Sequence, residues 1–302
     1  MTSLRYRFGI DLGGTKIEIA ALDANGNIVL RERTPTPKHD YAATLRSIVD
    51  LVATAEDRLD ASGSVGIAIP GTLSSRGGVV KNANSTWLNG RPLGTDLETA
   101  LERPVRLAND ANCFALSEAA DGAAAGADIV FGVILGTGVG GGLVIKGRVV
   151  NGAHGIAGEW GHNPLPEARD EEVPGPACYC GRRGCIETFL SGPALEANYA
   201  RQSGEHRTAA EIARRARADD ALAITVLDQH QGRLARALGT IINLLDPDCI
   251  VLGGGLSNLE SLYWGLPERV MTYAFTPETP PIIQRNRHGD SSGVRGAAWL
   301  WP

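Results

Sequence analysis

Between Glu159 and Glu187 the chain gathers the residue types from which a metal-organised polar site could be built. The segment opens with Glu159-Trp160-Gly161-His162 and crosses a loop rich in proline and acid. It closes with Cys178-Tyr179-Cys180-Gly181-Arg182-Arg183-Gly184-Cys185-Ile186-Glu187. One imidazole and three thiols are the four soft or borderline donors that tetrahedral zinc takes. With all four places filled by protein, the ion is structural rather than catalytic. Gly181 and Gly184 permit the tight turn that brings Cys180 and Cys185 onto one ion. A disulfide is the rival, but Cys178 and Cys180 are too close in sequence to pair without strain. Pairing either with Cys185 leaves an odd thiol, and simply reduced thiols are a further alternative. Glu159 and Glu187 flank the ligand set. Clamped by the ion, their carboxylates could accept hydrogen bonds from sugar hydroxyls. By spacing alone they read as two solvated surface acids.

The chain that must position these groups has 302 residues, 43% hydrophobic and 21% charged, which is the composition of a globular protein and a length that suggests two domains. A net charge of −5 gives no reason to expect nucleic acid or an anionic membrane as partner. The N-terminal segment Met1 to Phe8 lacks the apolar core of a signal peptide, and no later apolar run is long enough to span a bilayer. Five cysteines, three of them at metal-ligand spacing, fit a reducing cytoplasm.

Glycine marks the other candidate sites. A strand at Phe8-Gly9-Ile10 runs into Asp11-Leu12-Gly13-Gly14-Thr15-Lys16, and Ile17, Ile19 and Ala21 then alternate as a second strand. The bare backbone and the Thr15 hydroxyl of this hairpin can approach a phosphate closely. Asp11, at the end of a buried strand, is costly unless it has a task. The G-x-x-x-x-G-K-[ST] loop is absent, so this is not a P-loop. A second apolar strand, Ile129 to Leu135, enters Gly136-Thr137-Gly138-Val139-Gly140-Gly141-Gly142. The G-x-G-x-x-G pattern within it requires a following helix to be a dinucleotide fingerprint, and Leu143 to Val150 reads as strand instead. Two such hairpins suggest a duplicated domain with a nucleotide between the halves, unless Gly-rich turns recur by chance. Ile250-Val251-Leu252 leads into Gly253-Gly254-Gly255, where a ligand could pack on bare backbone.

The intervening helices follow from caps and periodicity. Asp40 caps a helix to Leu59, a strand spans Ser64 to Ile69, and Val105 to Ala108 is a strand feeding a helix from Ala111 to Ala124. Asn109-Asp110 stands at that junction. Asp110 is a helix cap on the plain reading. On the functional reading it is a general base, kept ionised by the helix N-terminus. The amides and hydroxyls of Asn82 to Thr86, beside Trp87, suit a sugar or an ordinary turn. Helices are expected around 192–200 and 209–217 and over 220–245. Ser257 should cap another that Pro267 interrupts, before a strand at 281–285 and a C-terminal helix at 293–301.

Taken together, Asp11 to Lys16, Asn109-Asp110-Ala111-Asn112, Gly136-Thr137-Gly138, Glu159 to His162, the three cysteines and Gly253 to Gly255 resemble the ROK family over essentially the whole chain. Val80 to Gly90 and His288 to Pro302 resemble its bacterial manno(fructo)kinase branch. The resemblance implies an α/β, actin-like/hexokinase (RNase H-like) fold, with two duplicated α/β domains flanking a nucleotide- and sugar-binding cleft. The small domain would comprise residues 1–108 plus 289–302, and the larger one 109–288. It implies a cytoplasmic hexose kinase using ATP with Mg²⁺ and a structural Zn²⁺, most simply a fructokinase, in a family where homodimers are common. Asp110 would deprotonate the sugar's primary hydroxyl, while Asn84, Asn109, Glu159, His162 and Glu187 hold the other hydroxyls. Asp11, Gly13, Gly14, Thr15, Lys16, Gly136, Thr137 and Gly138 would surround the phosphates and Mg²⁺, and Gly253, Gly254 and Gly255 would meet adenosine. Zinc would be held by His162, Cys178, Cys180 and Cys185, with the second nitrogen of His162 turned to the sugar. Zinc ligands and sugar ligands are expected to separate by mutation, and ATP affinity to change least, because the Gly-rich hairpins lie elsewhere in the chain.

Within the same family a glucokinase or an N-acetylhexosamine kinase is the serious alternative. A sugar-sensing repressor needs a DNA-binding module ahead of the hairpin, and too few residues precede Phe8 here. An inactive actin-like binding module is opposed by Asp110 and both Gly-rich turns.

Overall fold

The computed structural model describes residues 5–74, 77–275 and 278–302. Residues 1–4 of the segment read above for a signal peptide lie outside them. In chain order the strands are β1 Tyr6–Leu12, β2 Lys16–Leu22, β3 Ile28–Pro35, β4 Gly63–Ile69, β5 Thr72–Leu73, β6 Val80–Lys81, β7 Val105–Asn109, β8 Ile129–Leu135, β9 Val139–Ile145, β10 Arg148–Val149, β11 Cys249–Gly253 and β12 Ile283–Arg285. The helices are α1 Tyr41–Leu59, α2 Leu93–Leu101, α3 Asp110–Ala120, α4 Glu187–Leu190, α5 Gly192–Ser203, α6 Ala209–Arg217, α7 Ala221–Leu245, α8 Leu266–Met271 and α9 Ser292–Ala298. Among the described residues no helix is long and apolar enough to cross a membrane.

The chain divides into two compact units. Met1–Gly126, Gly142–Ala157 and Arg287–Pro302 form the first, and Ala127–Gly141 with Gly158–Asn286 the second. The division differs from the boundary expected after Ala108, because α3 packs with the first unit. A Cβ on Gly296 of α9 would collide with the Cys113 carbonyl of α3, and one on Gly142 would meet the Ala111 carbonyl. Side chains at these points would force the layers apart.

In the first unit the sheet order is β3-β2-β1-β4-β7, with β1, β4 and β7 parallel. One face buries Phe8, Ile10, Ile17, Ile19, Val65 and Ile67 with Ile48, Val52 and Ala55 of α1. Asp40 caps α1 by accepting the Ala43 N–H, as its sequence position requires. The other face is built for close approach. Gly9 and Gly66 pair across β1 and β4, and a Cβ on either would strike an α9 carbonyl, Val294 or Ala297. Glu118 of α3, fully buried, accepts the N–H groups of Ala123, Arg287 and His288 and the Ser292 hydroxyl. It ties the C-terminal segment to α3.

The second sheet runs β10-β9-β8-β11-β12, with β8, β11 and β12 parallel. In the second unit, α7 is capped by Asp220, which accepts the Ala223 N–H. Pro267 stands in the first turn of α8 rather than interrupting a longer helix, since a missing N–H costs nothing there. Two 3₁₀ turns, Gly255–Asn258 and Glu260–Leu262, stand where a helix capped by Ser257 was expected.

The loop before the cysteines is pinned to α7 by charge. Glu172, 6% exposed, meets Arg233 at 2.7 Å and Arg236 at 2.9 Å. Burial alone would raise its pKa, but hydrogen bonds from Arg236, the Arg169 N–H and Arg233 outweigh it and hold the value at about 2. A depressed carboxylate stabilises fully above its ordinary 4.5 and loses that contribution as pH falls toward 2. Glu172→Gln should therefore cost about 3–5 kcal/mol at neutral pH, since two guanidinium groups lose their counter-charge. The variant should also lack that part of the acid loss between these two pH values, which denaturant melts across pH will show.

Candidate active site

In the first unit the candidate residues collect at the carboxyl ends of the three parallel strands. Asp11 lies near the end of β1, Gly71 follows β4, and Asn109 ends β7 with Asp110 opening α3. Open α/β sheets bind ligands at this edge because the strand-to-helix turns expose backbone N–H groups and helix N-termini there. The Asn109 amide donates to the Gly71 carbonyl at 2.9 Å, tying two of these strand ends together. Asn109 and Asp110 both accept the Ala111 N–H, at 2.9 and 2.8 Å. Asn109, rather than Asp110, is thus the helix cap, and Asp110 is left with an oxygen for other work.

The surroundings of Asp110 act against the helix N-terminus. Its side chain keeps solvent-accessible surface, yet the protein crowds it closely. Desolvation raises its pKa above the ordinary value, against the lowering hydrogen bonds from Ala111 and Asn109. Asp11 is raised to about 6, first by burial and then by the charges of Asp110 and Glu18, with Lys16 acting in the opposite sense. Two carboxylates with raised pKa values, one of them raised in part by the charge of the other, fit a site completed by a cation.

The first Gly-rich turn is held from both sides. Gly13 N–H donates to the Lys16 carbonyl at 3.0 Å, and the Thr36 hydroxyl donates to the Gly13 carbonyl at 2.7 Å. Gly14 and Thr15 are exposed. Lys16 is engaged with buried Glu18 at 3.3 Å, which also takes Arg31 and Arg33. Asn84 sits exposed on a loop that the Asn89 side chain closes, accepting from Ala83 N–H at 2.9 Å and donating to its carbonyl at 3.0 Å. Trp87, beside the polar run read above as suiting a sugar or a turn, donates to the Thr44 hydroxyl of α1 at 3.2 Å and packs edge-on to His39.

The second unit repeats the arrangement. Gly136-Thr137-Gly138 follows β8, and Gly253-Gly254-Gly255 follows its parallel neighbour β11. Gly254 has φ +80, and a Cβ there would lie 2.5 Å from the Leu135 carbonyl, so only glycine lets the two turns adjoin. Gly254 and Gly255 leave their backbone exposed. The Glu187 carboxylate accepts the Val139 N–H at 2.9 Å, and a Cβ on Gly138 would come within 2.6 Å of the same oxygen. Glu187 thereby joins the cysteine loop to the second Gly-rich turn.

The four soft donors converge. The donor atoms of His162, Cys178, Cys180 and Cys185 all lie within 4.8 Å of one another, with His162 Nδ1 at 3.6 Å from Cys178 and Cys180 at 3.6 Å from Cys185. All five cysteines are free thiols. Gly181 and Gly184 carry φ of +87 and +70, and bridges pair Pro164 with Cys185 and Ala177 with Arg183. This donor set and spacing suit a tetrahedral ion. The other nitrogen of His162 meets the Tyr179 hydroxyl at 2.9 Å, a partner that sequence reasoning missed. Its position between two ligand cysteines was the only signal. Glu159 stands exposed at the start of the 3₁₀ turn that carries His162.

The sheets and the ligand-facing turns define a hexokinase-like, actin-like α/β fold. The chain belongs to the ROK family, whose profile matches residues 7–302. It is 44% identical over 297 residues to the N-acetyl-D-glucosamine kinase of Pectobacterium atrosepticum, covering 97% of this chain and 98% of that one. It superposes on the ROK hexokinase of Thermus thermophilus with a TM-score of 0.85 at 34% identity, covering 97% of both chains. A Streptomyces griseus ROK glucokinase, solved with glucose and AMPPNP, gives 0.76 at 27% identity over 98% of both. The relatives found by sequence are thus N-acetyl-D-glucosamine kinases, which does not support the manno(fructo)kinase branch. The segments behind that expectation have packing tasks here: Val80 to Gly90 folds on Asn89 and Trp87, and α9 lies in the first unit's core.

If the Asp110 charge helps to raise Asp11, Asp110→Asn should move the Asp11 titration below about 6, toward its ordinary value. Carboxyl-carbon NMR against pH reads this directly, and an unmoved titration would mean that the two groups do not interact.

Proposed function

We propose that this chain is an ATP-dependent kinase of N-acetyl-D-glucosamine, phosphorylating the sugar's primary hydroxyl. The reaction type rests on one observation above others: Asp110, freed from capping by Asn109, stands within electrostatic reach of Asp11 at the strand ends. The choice of sugar rests on the full-length likeness to N-acetyl-D-glucosamine kinases.

In this reading Asp110 accepts the proton of the primary hydroxyl as its oxygen bonds to the γ-phosphorus, and ADP departs with the electron pair of the broken P–O bond. A carboxylate with a raised pKa is a better proton acceptor near neutrality than an ordinary aspartate. Asn84, Asn109, Glu159, His162 and Glu187 hold the remaining hydroxyls. Asp11, Gly13, Gly14, Thr15, Lys16, Gly136, Thr137 and Gly138 receive the phosphates, and Gly253, Gly254 and Gly255 offer bare backbone to the adenosine. Mg²⁺ carried with ATP neutralises phosphate charge, and the raised pair Asp11 and Asp110 suits its presence. His162, Cys178, Cys180 and Cys185 hold a structural zinc. Positioning and charge neutralisation supply most of the rate, since phosphoryl transfer asks little covalent chemistry of the protein.

ADP release measured over N-acetylglucosamine, N-acetylmannosamine, glucose, mannose and fructose should give the highest kcat/KM for N-acetylglucosamine. Asp110→Asn should lower kcat by about 10²–10⁴-fold. A preference for fructose would restore the fructokinase reading, a preference for glucose would make this a glucokinase, and no ADP release with any hexose would overturn the kinase assignment.

A further inference from the structure

His162 is expected to offer one nitrogen to a metal and the other to a sugar, yet the second position is taken. Nδ1 faces Cys178 at 3.6 Å inside the ligand cluster, and Nε2 lies 2.9 Å from the Tyr179 hydroxyl. An imidazole whose Nδ1 lone pair serves a metal carries its proton on Nε2, so Nε2 donates and the Tyr179 oxygen accepts. The two rings meet edge-on, with centroids 5.1 Å apart and planes at 83°. Tyr179 is nevertheless 78% exposed, on a two-residue step between ligand cysteines. Glu187 and Glu159 lie close enough to act on its phenol electrostatically. The phenol hydroxyl thus makes, at a nitrogen assigned to a sugar hydroxyl, the hydrogen bond that a sugar oxygen would make.

We propose that Tyr179 is a sugar-site residue whose hydroxyl occupies His162 Nε2 as a stand-in for a sugar hydroxyl, and which the incoming hexose must displace. The inference rests on the reading of His162 as a sugar ligand. Little besides the edge contact and this one bond holds an exposed ring, so it leaves at small cost, but the cost appears in every binding event. A site occupied by its own side chain binds with an affinity reduced by the fraction of time that it is closed. Removing the hydroxyl leaves Nε2 open and the loop backbone unchanged.

Tyr179→Phe should lower the dissociation constant of N-acetylglucosamine, measured by calorimetry without ATP, by about two- to tenfold, the worth of one exchanged hydrogen bond. The sugar KM should fall in step, with the ATP KM and metal content unchanged. Tyr179→Ala should show the same gain, as it too lacks the hydroxyl. Sugar affinity that is unchanged or weaker in the Phe variant, with wild-type metal content, would overturn the proposal while leaving the kinase reading intact. A wild-type protein that neither binds nor phosphorylates a hexose would instead remove the reading on which it rests.

Discussion

Three thiols and an imidazole drawn within 4.8 Å of one another are the constraint around which the loop from Glu159 to Glu187 is arranged. Thiolates so placed repel one another unless a cation gathers them. What holds the loop is a short set of contacts: two bridges, the positive-φ glycines 181 and 184, and buried Glu172 between Arg233 and Arg236. Glu159, His162 and Glu187 all take their positions from this loop. Through the Val139 N–H, Glu187 passes that position on to the second Gly-rich turn.

The rest of the site follows from a rule of parallel sheets applied in each unit. Strands that run the same way end together, and their turns expose N–H groups and helix N-termini along one edge. Glycine appears where that edge demands it. Gly254 must pass the Leu135 carbonyl, and Gly138 must leave room for the Glu187 carboxylate. On the opposite side of the first sheet, Gly9 and Gly66 serve packing alone, letting α9 lie directly on β1 and β4. The same residue type thus marks ligand turns and close-packed layers, and only the neighbours tell them apart.

This explains what could be read from the chain and what could not. The Asp40 cap and the hairpin at Gly13-Gly14 were legible because caps and period are local properties, whereas the strand expected to follow Gly142 already begins at Val139. The convergence of His162 with the three cysteines was legible from spacing, since the cysteines lie within eight residues. The ionisation of Asp110 was not. A helix N-terminus argues for a lowered pKa, and only the folded surroundings show that desolvation outweighs it. The bonds of Glu187 to Val139 and of Tyr179 to His162 likewise depend on loops meeting in space. The motif at Val80 to Gly90 looked like a mark of substrate, yet its Trp87 and Asn89 are spent on folding the loop.

The central claim is that an ion organises the sugar-binding loop, and metal analysis of the purified protein before and after chelation, paired with sugar binding, tests it most directly. The account expects close to one zinc per chain, and loss of N-acetylglucosamine binding in step with loss of the metal. A metal-free native protein that binds and phosphorylates the sugar at full strength would contradict it.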